Sequence, residues 1–584
     1  MKIIKRVLIV VMFVLGAATV AAEESLSLAD ATPGRTGVCI TEMDGGERVE
    51  IPLTVLGTVG SGTPEGEMVL VRLDDPRFEH TGIIAGMSGS PVYLDGRLLG
   101  ALAFGWPFAK DPIGGVTPFE RMLEIEAMSV PAVALAARPE MPDILAAAGD
   151  GSVGEMLMDW LVPNRAGPQP LPVAIAVGGA VSSSGQSGWL GEAWRRMGWV
   201  ATPGGATTGG GAVKEVSPGS MVAAILVDGD ASVAAGGTVT EVRGDRLWAF
   251  GHPSLGAGTV DMPLSQASVV AVMPSLMNSF KFFTVGRPIG AMIADRRAGI
   301  LGQLGAAAPM VPVSVRIGDR QYAFRSVRHP ILLPLLSAYL TQASIGVRGR
   351  TFGDMTLDTH IEVRYKDTEP AVVAVSSVGT QAAGDTAAFV GAVVGYLEAS
   401  KFEVPEIESV DIRVESTEAM RTADIVDIVP DRRVVRPGEE LKVRFRLRLH
   451  RGEEVVRTLT IRVPEGTPEG RLDLVGADGA AWTVYDLQMR PLRPASFDDE
   501  VRLVNSLQPS TELVVALERR DPGMAVAGGS LSTPPSIVMQ LQSALGPNLE
   551  TTAYTVFAKS ETALPFPVSG AQRIPLTVRR GIEE

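Results

Sequence analysis

Gly86-Met87-Ser88-Gly89-Ser90-Pro91 runs straight into Val92-Tyr93-Leu94, Asp95-Gly96 and Arg97-Leu98-Leu99-Gly100-Ala101-Leu102-Ala103-Phe104, and this stretch decides the fold. Asp-Gly between two apolar runs predicts a two-residue β-hairpin, because the type I′ turn needs positive φ at both central positions. The hexapeptide before it predicts a sharp turn. Glycines two residues before and one after Ser88 let the backbone bend and aim its amides inward. In that geometry the N–H groups of Gly86 and Ser88 form an oxyanion hole beside the Ser88 hydroxyl. A tight turn without chemistry is the competing reading of a bare Gly-x-Ser-Gly string.

Outward from the hairpin, short alternating runs continue the β pattern. Val38 and Ile40, then Val49, Ile51, Leu53 and Val55, predict strands on the N-terminal side. A second hairpin is expected at Gly244-Asp245, before Leu247-Trp248-Ala249-Phe250. Helices are expected over 118–128, 191–197, 331–343 and 387–400, and the glycine-rich stretch 203–211 reads as a linker or long loop. Past Val404, Leu441, Val443, Phe445, Leu447 and Leu449 alternate with Lys442, Arg444, Arg446 and Arg448. Period two with one apolar face predicts a half-buried antiparallel strand, its basic face solvated and balanced by Glu439, Glu440, Glu453 and Glu454. With further strands at 459–463 and 482–487 it predicts a β-sandwich module across 405–510. A helix near 537–545 and a closing strand are expected after it.

The 584 residues suggest several domains with ample core. Lys2, Lys5 and Arg6 precede an apolar stretch from Val7 to Val20, and Ala21-Ala22 precede Glu23-Glu24. This is the pattern of a secretory signal peptide over 1–22, too short for a spanning helix, so a soluble periplasmic or extracellular mature chain is expected. A net charge of −14 without a basic block excludes a nucleic-acid footprint. The single cysteine, Cys39, excludes internal disulfides and cysteine-based metal sites, and no cofactor or metal is expected. Five histidines narrow the search for a base. Of these, His252 alone lies between Gly251 and Pro253 at the end of an apolar strand, a place both exposed to a cleft and firmly held. Asp74 and Asp75 are adjacent, so in an extended segment only one could face an imidazole.

Asp75-Pro76-Arg77, Thr81-Gly82-Ile83, the Gly86–Pro91 string, Gly96 with Gly100-Ala101, Gly237-Thr238-Val239-Thr240, Gly251-His252-Pro253 and Gly299-Ile300-Leu301-Gly302 together resemble the SpoIVB-type serine peptidase family. The resemblance covers about residues 35–130 and 215–305. It implies a chymotrypsin-like pair of β-barrels with Ser88 as nucleophile, His252 as general base and Asp75 as the acid that orients it. Two features depart from the family. The serine segment here precedes the histidine segment, which triad geometry permits, and no PDZ module is evident. Methionine at 87, where trypsin-like zymogens carry an aspartate, removes the ion pair by which those zymogens activate.

The sequence therefore predicts a mainly β chain: a signal peptide (1–22), a nucleophile-bearing half (23–200), a histidine-bearing half (201–404) and a C-terminal β-sandwich-like region (405–584). The function expected is serine endopeptidase action on a protein or peptide, with a possible envelope partner for the C-terminal module. The alternative is a non-catalytic envelope binding protein on the same scaffold.

Overall fold

The computed structural model describes residues 25–60, 67–128, 137–162, 170–179, 188–206, 215–347, 353–489, 494–520, 523–526, 529–531, 549–552 and 555–580. The signal peptide expected over 1–22, the helix expected near 537–545 and residues 207–211 of the glycine-rich stretch lie outside them.

The chain is mainly β, as expected. Its first six strands are β1 (Thr36–Glu42), β2 (Arg48–Val59), β3 (Met68–Leu73), β4 (Pro91–Leu94), β5 (Arg97–Phe104) and β6 (Ile113–Pro118). They close into an antiparallel barrel in the order β1-β2-β3-β6-β5-β4. Apolar alternation drives the closure. Ile51, Leu53 and Val55 on β2, Val69 and Val71 on β3, and Val92 and Leu94 on β4 share one buried core with Cys39 and Met87. The β4–β5 turn is the Asp95-Gly96 hairpin, with φ of 51° and 80°. Asp75 and Pro76 open a short helix, Pro76–Thr81, between β3 and β4.

The following strands are β7 (Val173–Gly179), β8 (Trp199–Pro203), β9 (Gly205–Ala206), β10 (Met221–Gly229), β11 (Ala231–Arg243), β12 (Arg246–Ala249), β13 (Gly258–Met273), β14 (Phe280–Arg296), β15 (Gly299–Leu304), β16 (Met310–Ile317), β17 (Arg320–Val327), β18 (Met355–Tyr365), β19 (Ala371–Gly379) and β20 (Ile407–Thr417). They form one large sheet. Within it β10-β11-β12-β15-β14-β13 returns to β10, every pairing antiparallel. That is a second closed ring of six strands. Numbered within each ring, both follow the order 1-2-3-6-5-4, so the two rings share one topology. The sheet runs on past β10 through β17, β16, β20, β18 and β19, and past β11 through β7 and β8.

Two helices, Leu332–Val347 and Ala382–Glu398, pack on each other and on this extension, buried on nearly every side. Their mostly apolar sequences follow from that position. The expected helices over 118–128 and 191–197 are present as Phe119–Ala127 and Trp189–Arg196.

The C-terminal region holds a four-stranded and a five-stranded sheet around a shared core, in which Leu441, Val443, Phe445 and Leu447 meet Leu474, Val515 and Leu517. The alternate basic residues lie on the outer face, where Arg446 neighbours Asp427 and Glu454. Three expectations need correction here. Ile407–Thr417 is β20, paired with β16 and β18, so the module begins at Ala423 instead of 405. The module continues to Val578, because Ala571–Val578 pairs with Gly470–Asp478. Residues 482–487, expected as a strand, are helical within Gly479–Met489. Asp478, at the end of the preceding strand, accepts from Ala481 N–H and starts the helix.

Candidate functional site

Ser88 and His252 occupy corresponding places. Each lies in the connection between the third and fourth strands of its own ring, β3–β4 for Ser88 and β12–β13 for His252. The Ser88 turn of the first barrel docks on β11 of the second. Thr238 N–H donates to Ser88 C=O at 2.7 Å, Thr238 Oγ1 to Gly86 C=O at 2.9 Å, and Thr240 Oγ1 to Gly89 C=O at 2.8 Å. Thr117 Oγ1 closes the seam from the other side on Gly251 C=O at 2.6 Å. Gly89 is obligatory at this contact, since a Cβ there would sit 1.9 Å from the Thr238 carbonyl oxygen.

Across the seam His252 Nε2 is 2.8 Å from Ser88 Oγ, and His252 Nδ1 is 2.9 Å from the Pro253 carbonyl oxygen. The carbonyl can only accept, so its partner Nδ1 carries the proton. Nε2 is then the lone pair that accepts the Ser88 hydroxyl proton. This is the tautomer a general base needs. Both residues are buried, Ser88 at 2% exposure and His252 at 0%. His252 follows Phe250 and Gly251, which both have positive φ, 69° and 68°. A left-handed Phe costs about 1–3 kcal/mol and persists only where its surroundings over-determine it. Here its N–H is held by Thr238 C=O and its ring lies against Gly237, where a Cβ would be 2.3 Å from it.

Met87 N–H bonds Ile84 C=O and Gly89 N–H bonds Leu102 C=O, while the N–H groups of Gly86 and Ser88 have no acceptor among the described residues. Asp75 is not brought to the imidazole. It caps its helix, accepting from Arg77 N–H at 2.9 Å and from the Arg77 guanidinium on both carboxylate oxygens. Those bonds hold its carboxyl below the usual carboxylate range. Asp74 likewise is engaged by Thr54 and Arg72.

The carboxylate beside the histidine loop is Asp295, at the end of β14 and fully buried. It accepts from Ser254 N–H at 2.8 Å and from Leu255, Gly256 and Ala257 N–H at 2.7, 3.0 and 3.4 Å. Burial pushes its carboxyl up, and the four N–H donors oppose that. The backbone immediately after His252-Pro253 is thus wound around one carboxylate. Sequence reading missed Asp295 because Asp-Arg-Arg at a strand end looks like a solvated turn.

Cys39 carries no chemistry here, its thiol pushed up to about 12 by burial. Among the described residues no cluster of histidine, cysteine or acidic side chains is placed to hold a metal ion, and no helix is long and apolar enough to cross a membrane. Searches of protein-family models, curated proteins and solved structures return no match.

Proposed function

We propose that the protein is a serine endopeptidase of the cell envelope or exterior, exported by its N-terminal signal sequence. The observation that carries this is the Ser88–His252 contact at 2.8 Å, with the imidazole tautomer set by Pro253. Ser88 Oγ attacks a peptide carbonyl carbon as its proton passes to His252 Nε2. The new oxyanion is received by the N–H groups of Gly86 and Ser88, each such donor being worth about 3–4 kcal/mol in the transition state. His252 then gives its proton to the departing amine, leaving an ester on Ser88. Water hydrolyses the ester by the same proton route in reverse. Asp295, in place of Asp75, holds the histidine loop. The burial of Ser88 favours a second reading, a binding protein that retains the scaffold.

A fluorophosphonate probe decides between them, because it traps an activated serine and ignores an inert one. The folded protein should be labelled on Ser88, with labelling lost in Ser88→Ala and His252→Gln. A folded wild type that stays unlabelled would establish the scaffold reading.

A further inference from the structure

We infer that Lys281 is a positioning residue that sets both peptide groups of the oxyanion hole from behind. The inference rests on the peptidase reading above and adds to it the device that holds the site in working geometry.

Lys281 is wholly buried on β14, with its stem against the turn, where a Cβ on Gly86 would lie 3.1 Å from it. It grips the turn at two points. Its backbone N–H donates to Ala85 C=O at 3.1 Å. Its Nζ donates to Thr41 Oγ1 at 2.8 Å, the Thr41 and Ser90 hydroxyls are 2.9 Å apart, and Ser90 Oγ donates to Met87 C=O at 2.6 Å. Thr41, Ser90 and Met87 are all fully buried.

The proton order along this chain follows from what each group can do. The ammonium only donates, so it takes a lone pair of Thr41. The Met87 carbonyl only accepts, so it takes the single proton of Ser90. The Ser90 hydroxyl faces two acceptors, Thr41 Oγ1 at 2.9 Å and Met87 C=O at 2.6 Å, and its single proton serves the shorter contact with the carbonyl. Lys281, Thr41, Ser90 and Met87 are thus joined in one buried chain of hydrogen bonds, the relay.

In a trans peptide the C=O and N–H point to opposite sides, and the described chain contains no cis bond. Holding Ala85 C=O on Lys281 turns Gly86 N–H the other way. Holding Met87 C=O on Ser90 does the same for Ser88 N–H. Among the described residues neither of these two amides has an acceptor. A hydrogen bond on a peptide's oxygen also polarises its N–H, so the relay strengthens the Ser88 donor as well as aiming it.

Burial lowers Lys281 to about 8, against the attraction of Glu42 and the influence of Cys39, the two groups that face it. Glu42 is itself held by Met221 and Val269 N–H. A cation kept dry at such a cost is poorly explained as a stabiliser of the fold. In zymogens of the trypsin type an ion pair at the residue before the nucleophile orders the hole. Here Met87 is apolar, and the order comes through its carbonyl.

The test is the rate of Ser88 modification by a fluorophosphonate in the full-length protein, separated into the limiting rate and the half-saturating probe concentration. Thr41→Val, which trades one hydroxyl for a methyl of like shape, should lower the limiting rate about tenfold or more, short of the 10²–10³ lost when an oxyanion donor is removed outright. The half-saturating concentration should stay unchanged, and Thr41→Ser should restore the rate. A folded Thr41→Val that reacts at the wild-type limiting rate, or a Thr41→Ser that fails to recover, overturns the inference and leaves the peptidase reading intact. If Thr41→Val does not fold, Ser90→Ala is judged by the same limiting rate. A wild type that is never labelled overturns the peptidase reading and this inference together.

Discussion

At the residue scale, the two acids divide the roles that one sequence motif assigns to a single position. Asp75 spends its carboxylate on Arg77, whose own side chain is half exposed. Such a pair contributes about 0–1 kcal/mol. Asp75→Asn should therefore leave both folding and Ser88 labelling close to wild type. Asp295 is different, because four loop amides converge on it and an asparagine would set an NH₂ against them. Asp295→Asn should slow labelling well below the wild-type rate, because the loop that follows His252 loses the acceptor its amides share. Labelling rates of the two variants, with near-ultraviolet circular dichroism to confirm folding, check this. The reverse ranking would return the acid's role to Asp75. Ser88 and His252 stood out in the sequence because Gly86 and Gly89 around the one, and Gly251 and Pro253 around the other, mark a bent backbone. Asp295 and Lys281 did not, because Asp295 precedes two arginines and Lys281 sits between Phe280 and Phe282. In a strand that alternation reads as an outward face, and only closure of the second ring against the first buries it.

At the element scale, the helix Leu332–Val347 depends on a neutral histidine. His329 Nδ1 accepts from Ile331 and Leu332 N–H at 3.2 and 3.3 Å, an acceptor cap on a buried helix start. Burial lowers His329 to about 4 from an ordinary value near 6.5. The unfolded chain binds this proton more readily, so the contribution is complete above pH 6.5 or so and is lost as pH falls toward about 4. The full loss is on the order of 3 kcal/mol. His329→Asn keeps a capping oxygen without the titration, so denaturant unfolding across that pH range should fall less steeply for the variant. Parallel curves would sink the assignment. The helix was expected over 331–343 from a mostly apolar stretch longer than a strand. The strand expected at 482–487 failed for a related reason, since a short apolar run does not distinguish strand from helix and the deciding cap lies four residues upstream at Asp478.

At the scale of the whole molecule, the C-terminal region is tied into the barrel region and does not hang from it. The helix Phe497–Asn505 leaves the sandwich and joins the main core through Phe497, Val501, Leu503 and Val504. Phe497 meets Tyr365 edge to face at 4.8 Å, and Asn505 bonds Val372 N–H and Pro370 C=O at the start of β19. Its Glu500 is completely buried and pairs at 2.7 Å with Arg138, which also donates to Tyr396 C=O and stacks on that ring. Residues far apart in the chain thus meet around one ion pair, a charged residue on a helix that a sequence alone would place in solvent. Breaking one side of such a pair leaves the other charge buried and alone, which costs about 3–5 kcal/mol, while replacing both by apolar groups of similar size is often close to neutral. Arg138→Met should lower the denaturant midpoint sharply, and Arg138→Met with Glu500→Met should recover most of it. Because the pair touches neither Ser88 nor His252, the folded fraction of each variant should still be labelled at the wild-type rate. If Arg138→Met were as stable as wild type, the helix would not be carrying the two regions together. If stability fell and labelling fell with it beyond the unfolded fraction, the C-terminal region would be part of the site's support as well as of the fold.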